Sequence, residues 1–500
     1  MHSLRSAATA SALRSACRRP SHTAKLLSSS GSSSSSSSKS TALVSSQPYI
    51  SRHTRSLATS SATRLHHRVA LSQHNSNSNG NRSGSNAPQT RLASSSASSP
   101  EELQKTPLYD LHLAHGGKMV PFGGFHMPVQ YTGLTVSQSH SFTREHCSIF
   151  DVSHMVQRWF KGEGAISFLQ RITPSDPGAL QDNHSTLSCL LHADGSGGIV
   201  DDTIITRIKP DSFYVVTNAA CRDKDDAYLD QELAKWNAEP DHKDLRVVQE
   251  QRPGWGLVAL QGPGAEAVLA PLLKAGQDLK TVYFSQSFST RLQLPSKQLS
   301  AEVLISRSGY TGEDGFEISI PPADTVPVTE ALLASGGPDK VRLAGLGARD
   351  SLRLEAGMCL YGHDLDDTTT PAEAALSWII PPSRRKPDAG FYGAEVIARQ
   401  LLPKSKGGSG VTRRRVGLLV EGAPAREGAE IVDPNDKTVS LGSVTSGCPS
   451  PTLGKNIAMG YIKDGFHKSG TQVAVLVRGR PRAAVVAKMP FVPSKYWKPT

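Results

Sequence analysis

No aspartate or glutamate occurs before Glu101. That gap fixes how much of this 500-residue chain can fold as a globular body. The same stretch holds ten arginines, two lysines and serine runs such as "SSSGSSSSSSSKS". It buries too little apolar surface to offset the entropy of ordering it, so residues 1–100 are expected to be disordered. Arg-rich, Ser-rich and acid-free is the profile of an organelle transit peptide, and "MHSLRSAATASALRSACRR" can form a loosely amphipathic helix. A generic basic tail has the same composition.

The gap also dissolves the apparent basic character of the chain. Of 55 Lys and Arg residues, 12 belong to the leader, leaving 43 against 44 acidic residues in the rest. Bulk charge therefore gives no reason to expect a nucleic-acid partner. No run of 18 apolar residues occurs, so no membrane-spanning helix is expected. Five hundred residues suffice for two to four domains. The six cysteines (Cys17, Cys147, Cys189, Cys221, Cys359 and Cys448) are scattered and form no C-x-x-C pair. Free buried thiols are expected rather than disulfides or a zinc site. Cys147 follows His146, but neighbours in sequence are rarely partners in space, which argues against a Cys–His nucleophile.

Order is expected to begin near "EELQKTPLYDLHLAHGG", a short helix stopped by Gly116 and Gly117. The segment "STLSCLLHADGSGGIVDDTIITRI" reads as a hairpin, "SFYVVTNAA" as a third strand and "RDKDDAYLDQELAKW" as an amphipathic helix. A second hairpin lies in "VLISRSGYTGEDGFEISI", and "VRLAGLGARDSLRLEAGM" reads as a helix. Pro, Gly and basic residues then bracket the short helix "FYGAEVIARQLL", so residues 381–412 are expected to be a linker. From 413 to 500, short apolar strands alternate with turns, the spacing of a small all-β barrel or jelly roll.

Two carboxylates sit inside the first hairpin, Asp201 and Asp202 of "GGIVDDTII". Strand geometry points them to opposite faces, which excludes a close dyad of the aspartic-protease kind. Both faces are otherwise apolar, so at least one must meet a donor, a cation or a ligand; capping of nearby turns by both stays open. In the second hairpin Glu317 shares a face with Gly315 and Ser319, not with Phe316 and Ile318. It can accept N–H groups of a heterocycle or face solvent, and the EF-hand ladder is absent. "GLGARDSLRLEAG" lacks the third glycine of a dinucleotide loop. Its Arg349 and Arg353 share a helix face, suited to a carboxylate ligand or to salt bridges. His112 and His115 lack further ligands nearby, so packing or capping is expected.

The strings "TPLYDLHLAHGGKMVPFGGFHMPVQY", "FDVSHM", "GGIVDDTI", "ALQGP", "SGYTGEDGFEIS", "GARDSLRLEAGMCLYGHDLDDTTTPAEAALSW", "VTSGCPSPTLGKNIAMGYI" and "KMPFVPSKYW" carry a resemblance. From about residue 103 to its end the chain resembles the T-protein family, the aminomethyltransferases of the glycine cleavage system. A sister group in iron–sulfur cluster assembly is marked by a K-G-C-x-x-G-Q-E string. Here the corresponding region is "GMCLYGHDLDDTTTP". Folate-dependent dimethylglycine and sarcosine dehydrogenases carry a similar half joined to a flavin domain, for which this chain has no room.

The resemblance implies an α+β fold: a three-domain cloverleaf with a central folate hole. Two α+β domains would fill 103–380, with the barrel or jelly-roll module at 413–500. It implies transfer of the methylene of an aminomethyl group, held on the lipoyl arm of H-protein, to tetrahydrofolate as co-substrate. The products are 5,10-methylenetetrahydrofolate, ammonia and the dihydrolipoyl arm. Asp202 matches the family's essential acid, leaving Asp201 to the local turn. Glu317 and Arg349 match folate-holding positions, and Tyr496 of "PSKYW" reaches the folate from the C-terminal module. Met155, Leu187 and Val216 match pocket-lining positions. No metal, nucleic acid or membrane is implied; the partner is lipoylated H-protein, with a functional link to the P- and L-proteins. The leader then reads as a signal to the mitochondrial matrix. "SRRK" (383–386) and "RRR" (413–415) suit either docking of an acidic carrier or solvated linker charge. A folate-binding assembly factor would bind folate without releasing ammonia.

Overall fold

The glycine-turn hairpin is the spine of the first of three lobes. Strands His184–Leu191 and Ile199–Lys209 pair antiparallel. Ser212–Thr217, Val156–Lys161 and Val248–Gln251 extend them, in that order, into a five-stranded antiparallel sheet. Helices Ala165–Ile172 and Arg222–Ala238 supply Phe168, Leu169, Leu229, Leu233 and Trp236 to a core shared with Phe160, Ile205, Phe213 and Val215. Each such side chain contributes about 1.5–3 kcal/mol by leaving water. The computed structural model describes residues 102–499; the leader lies outside the described residues.

The second lobe is a six-stranded sheet. Its order is Ser287–Thr290, Val303–Ser306, Gly315–Ile320, Gly256–Gln261, Cys147–Asp151 and Val341–Leu343, with only the last pair parallel. One face packs on helices Ala265–Leu269 and Thr325–Gly336 through Val258, Leu260, Phe316, Ile318, Val328 and Leu332. The other face carries Phe150, Leu257 and Ala259, which pack against Ala348 and Leu352 of helix Leu346–Glu355. Gly345 starts that helix against the Phe125–Tyr131 strand, where a Cβ would fall 2.5 Å from the Val129 carbonyl oxygen. The glycine of "GLG" therefore serves close helix–strand approach, not phosphate binding.

The third lobe is a closed barrel of Arg413–Val420, Lys455–Lys463, Ser440–Ser450, Glu430–Val432, Gln472–Val477 and Arg480–Ala487. Closure leaves no free edge. The jelly-roll alternative is thereby set aside.

Two expectations change. "VRLAGLGARDSLRLEAGM" opens as an edge strand, because Val341–Leu343 pairs with Cys147–Ile149 before the helix begins. The segment 381–412 connects the lobes but is not a loose linker. Phe391, Ala394 and Ile397 are buried against Leu191, Ile199 and Leu376, and the Tyr392 amide donates to the Arg171 carbonyl at 2.9 Å. Its Pro and Gly residues shape tight turns around a packed helix, Ala394–Leu401.

Candidate active site

Pairing register decides what shares a face with Asp202. Ile204, two residues on, stands opposite both Leu187 and Val216. Cross-strand partners point the same way, so Asp202, Leu187, Ile204 and Val216 line one face. That face looks away from the helix-covered core and toward the second lobe. There Val216 and Met155 pack against Phe150, Leu257, Ala259, Ala348 and Leu352. Glu317 stands opposite Ala259, and Ala259 opposite Phe150, so the Glu317 side chain belongs to the same apolar-backed face of the second sheet. The two sheets thus turn their aspartate and glutamate faces to one shared region beside helix Leu346–Glu355.

The two aspartates diverge as strand geometry requires, yet one residue holds both. The Asn218 amide N–H donates to Asp201 Oδ2 at 2.8 Å, and Asn218 Nδ2 to Asp201 Oδ1 at 2.9 Å. The same Nδ2 donates to Asp202 Oδ1 at 2.9 Å. Asp201, left by the resemblance to the local turn, anchors instead the residue that follows the neighbouring strand. Asp201 also faces Asp225 and Cys221, the three polar groups lying within 4.8 Å of one another. Burial, with the charge of Asp201 second, raises the Asp202 carboxyl to about 7. A group at that pKa can give or take a proton near neutrality.

Arg349 lies within reach of both Tyr310 and Glu317. The Arg349 guanidinium lies over the Tyr310 ring, 4.5 Å from its centroid, and Nη1 is buried without a partner. Ser308 Oγ donates to Glu317 Oε2 at 2.7 Å. The Tyr310 hydroxyl donates to the Cys359 carbonyl and feels the charges of Asp202 and Arg349. Tyr496 arrives from the C-terminus and stacks on Phe284, ring centroids 4.0 Å apart at 17°. Its hydroxyl is likewise buried without a partner.

The chain matches two families along its length: "GCVT N-terminal domain" over residues 108–384 and "Glycine cleavage T-protein C-terminal barrel domain" over 413–493. The chain belongs to the glycine cleavage T-protein family. The probable mitochondrial aminomethyltransferase of Schizosaccharomyces pombe is 48% identical over 419 residues, 84% of this chain and all of the relative. The mitochondrial aminomethyltransferase of Pisum sativum is 44% identical over 399 residues, 80% of this chain and 92% of that one. The crystal structure of the Bartonella henselae glycine cleavage system aminomethyltransferase T superposes with a TM-score of 0.68 at 37% identity. It covers 79% of this chain and 100% of its own. The chain is accordingly an aminomethyltransferase of the glycine cleavage system.

Within this T-protein family member the other candidates have structural roles. His112 is buried, with Nε2 2.9 Å from Asp151 and Nδ1 2.9 Å from the Tyr131 hydroxyl; His115 closes the first helix. Burial pushes the Cys147 thiol far above the usual range, so it offers no thiolate nucleophile. Arg349 and Arg353 divide their tasks, since Arg353 pairs with Asp364 at 2.6 Å and Asp350 at 2.8 Å. The basic runs are largely consumed by structure. Arg384 and Arg415 are buried and donate to backbone carbonyls, and Arg414 pairs with Asp464 at 2.7 Å. Of "SRRK", Arg385 and Lys386 remain exposed; Arg385 donates to the Ile380 and Ser377 carbonyls, and Lys386 lies 3.5 Å from Asp388. Asn218 and Tyr310 escaped the sequence reading. Asn218 merely ends a strand in "VVTNAA", while Tyr310 lies in a hairpin turn dominated by glycines and acids, where a lone aromatic carries no pattern.

Proposed function

We propose that this chain takes the aminomethyl group from the lipoyl arm of H-protein and delivers its methylene to tetrahydrofolate between the two sheets. Ammonia and the dihydrolipoyl arm are released. The carrying observation is a pair of orphaned buried polar atoms, Arg349 Nη1 and the Tyr496 hydroxyl. Buried donors without partners are costly, and both belong to residues that the family resemblance assigns to folate. These residues fit a heterocycle bearing N–H donors and acceptors. Glu317 would accept its N–H groups, Arg349 and Tyr496 would donate, and Met155, Leu187 and Val216 would supply the apolar walls.

Bound tetrahydrofolate supplies the nitrogen nucleophiles. Asp202 orients them by accepting an N–H hydrogen bond, offsets positive charge developing on the transferred carbon, and handles a proton near neutral pH. Apolar walls from both sheets exclude water from the reacting groups. Lipoylated H-protein is the donor partner, and the P- and L-proteins act in the same system. The acid-free leader supports delivery to the mitochondrial matrix.

The test uses aminomethyl-loaded H-protein and tetrahydrofolate, reading ammonia release and folate binding separately. Asp202→Asn should lose about 10²–10⁴-fold in turnover while folate binding holds. Glu317→Ala should instead weaken folate binding by about 1.5–3 kcal/mol, the worth of a charged hydrogen bond. Near-normal turnover in Asp202→Asn would remove Asp202 from the chemistry.

A further inference from the structure

Asp225 stands on the first turn of helix Arg222–Ala238, on the far side of the strand from Asp202. It is fully buried, and neither carboxylate oxygen receives a well-formed hydrogen bond. An ionised carboxylate so placed costs several kcal/mol unless paired. The nearby cations each have another carboxylate closer. Arg158 Nη1 stands 2.6 Å from Asp226, although its charge also reaches Asp225 and lowers its pKa. Lys224 reaches the Tyr361 hydroxyl at 2.6 Å and Asp367 at 3.0 Å. Besides the Thr217 hydroxyl, Asp225 has Asp201 beside it, the group that grips Asn218 through both its amide N–H and its side chain.

We infer that Asn218 is the positioning residue of Asp202, and that Asp201 and Asp225 hold it in place by sharing one proton. The inference rests on the reading of Asp202 given above. With Asp225 protonated and donating to Asp201, the Asp201 carboxylate keeps its remaining acceptor capacity for Asn218. Two carboxylates so near must compete for the Asn218 NH2, because its carbonyl oxygen would be repelled by either. That fixes which way the carboxamide faces, and one N–H is left for Asp202 Oδ1. The chain Asp225–Asp201–Asn218–Asp202 thus runs through the strand from the helix side to the site side. The directions of titration agree: burial, then the charge of Asp201, raises Asp225 to about 9, and burial also raises Asp201.

The charged and titratable groups facing this chain come from several elements. Asp364, Cys189, Cys359 and Tyr310 face Asp202. Cys221, Lys224, Tyr228, Tyr361 and Arg158 surround the Asp201–Asp225 pair. Asn218 is the neighbour whose hydrogen bond lowers the Asp202 pKa. Its removal should therefore raise that pKa.

The full chain, with aminomethyl-loaded H-protein and tetrahydrofolate, tests this. Asn218→Ala should lower kcat about 10- to 100-fold, change KM for tetrahydrofolate less than about 3-fold, and move the low-pH limb of kcat to higher pH. Asn218→Ser serves the same comparison if the alanine variant misfolds. Difference infrared spectroscopy on the unaltered protein should show a carboxylic-acid carbonyl band at neutral pH that Asp225→Asn abolishes. A limb that stays put in the Asn218 variants, or no such band, overturns the inference. So does a divalent cation bound stoichiometrically by the unaltered protein and lost in Asp225→Asn. Asp202→Asn separates the two readings. If it turns over normally, the role of Asp202 falls; if it is inactive while Asn218→Ala keeps its rate and limb, only the positioning role falls.

Discussion

Asp225 illustrates how a residue can work for a site and against the fold. Its folded pKa of about 9 lies well above the ordinary carboxylate value of 3.8. The folded state then binds the extra proton, so stability from this group is fully present below about pH 4 and is lost as pH rises through about 9. Asp225→Asn removes the titration. Between about pH 6 and about pH 9 its melting temperature should fall less than that of the unaltered protein, by a few degrees on the scale of ~1.4 kcal/mol per pKa unit. Equal slopes in a pH series of thermal melts would show that Asp225 is already ionised when folded. At this scale the sequence was legible in part. The pleat alone separated Asp201 from Asp202, and family strings singled out Asp202, Glu317 and Arg349. The partners of Asp201 were hidden, because Asp225 reaches it from a helix 24 positions along, and a lone Asn at a strand end carries no pattern.

Helix Leu346–Glu355 packs against both helix Val136–Glu145 and the barrel, and its last residue shows how. Glu355 accepts from Arg144 of helix Val136–Glu145 at 2.7 Å, and from Ser450 and Thr452 at the barrel's edge. His140 adds a contact at 3.2 Å. Burial pushes the Glu355 carboxyl up, but hydrogen bonds from His140, Ser450 and Thr452 overcome it and hold the group down at about 2. Stability from this depressed carboxylate is present above about pH 4.5 and is lost as pH falls through about 2. Glu355→Ala leaves Arg144 and His140 buried with fewer partners, so it should cost about 3–5 kcal/mol at neutral pH. The deficit should shrink below about pH 3, where the native carboxylate is itself being protonated; chemical denaturation at both pH values measures it. A pH-independent deficit would mean that packing, not charge, is what Glu355 contributes. Element types were read well where periodicity was strong, as in both hairpins and the barrel strands. The linker reading missed because Pro, Gly and Arg look solvated in sequence, whereas Arg384 finds buried carbonyls, and Phe391 and Ile397 a core, only in three dimensions.

Across the whole molecule, the last dozen residues bind lobes that are far apart in sequence. Beyond the final barrel strand, the Phe491 and Val492 amides donate to the Glu355 carbonyl at 2.8 and 3.1 Å. Lys495 then donates to the Gly312 carbonyl at 2.8 Å and to Glu313 at 3.1 Å. Trp497 Nε1 donates to the Lys280 carbonyl at 3.0 Å, and the Phe284 amide donates to the Trp497 carbonyl at 2.7 Å. The tail thus carries Tyr496 from the barrel to the second lobe and lays it on Phe284. The barrel closes through its own ladder and does not need this tail, so deleting residues 493–500 should leave it folded. What the deletion removes is the hydroxyl within reach of Glu317 and Arg144, together with the strap that places it. Tyr496→Phe separates the two contributions: it keeps the stack and loses only a neutral hydrogen bond, worth about 0.5–1.5 kcal/mol. Tetrahydrofolate binding should weaken by about 2- to 10-fold in Tyr496→Phe with an unchanged melting temperature. The deletion should weaken it further and lower the melting temperature by a few degrees. If the deletion bound folate no worse than Tyr496→Phe, the strap would matter only for stability, and folate would owe the tail a single hydroxyl.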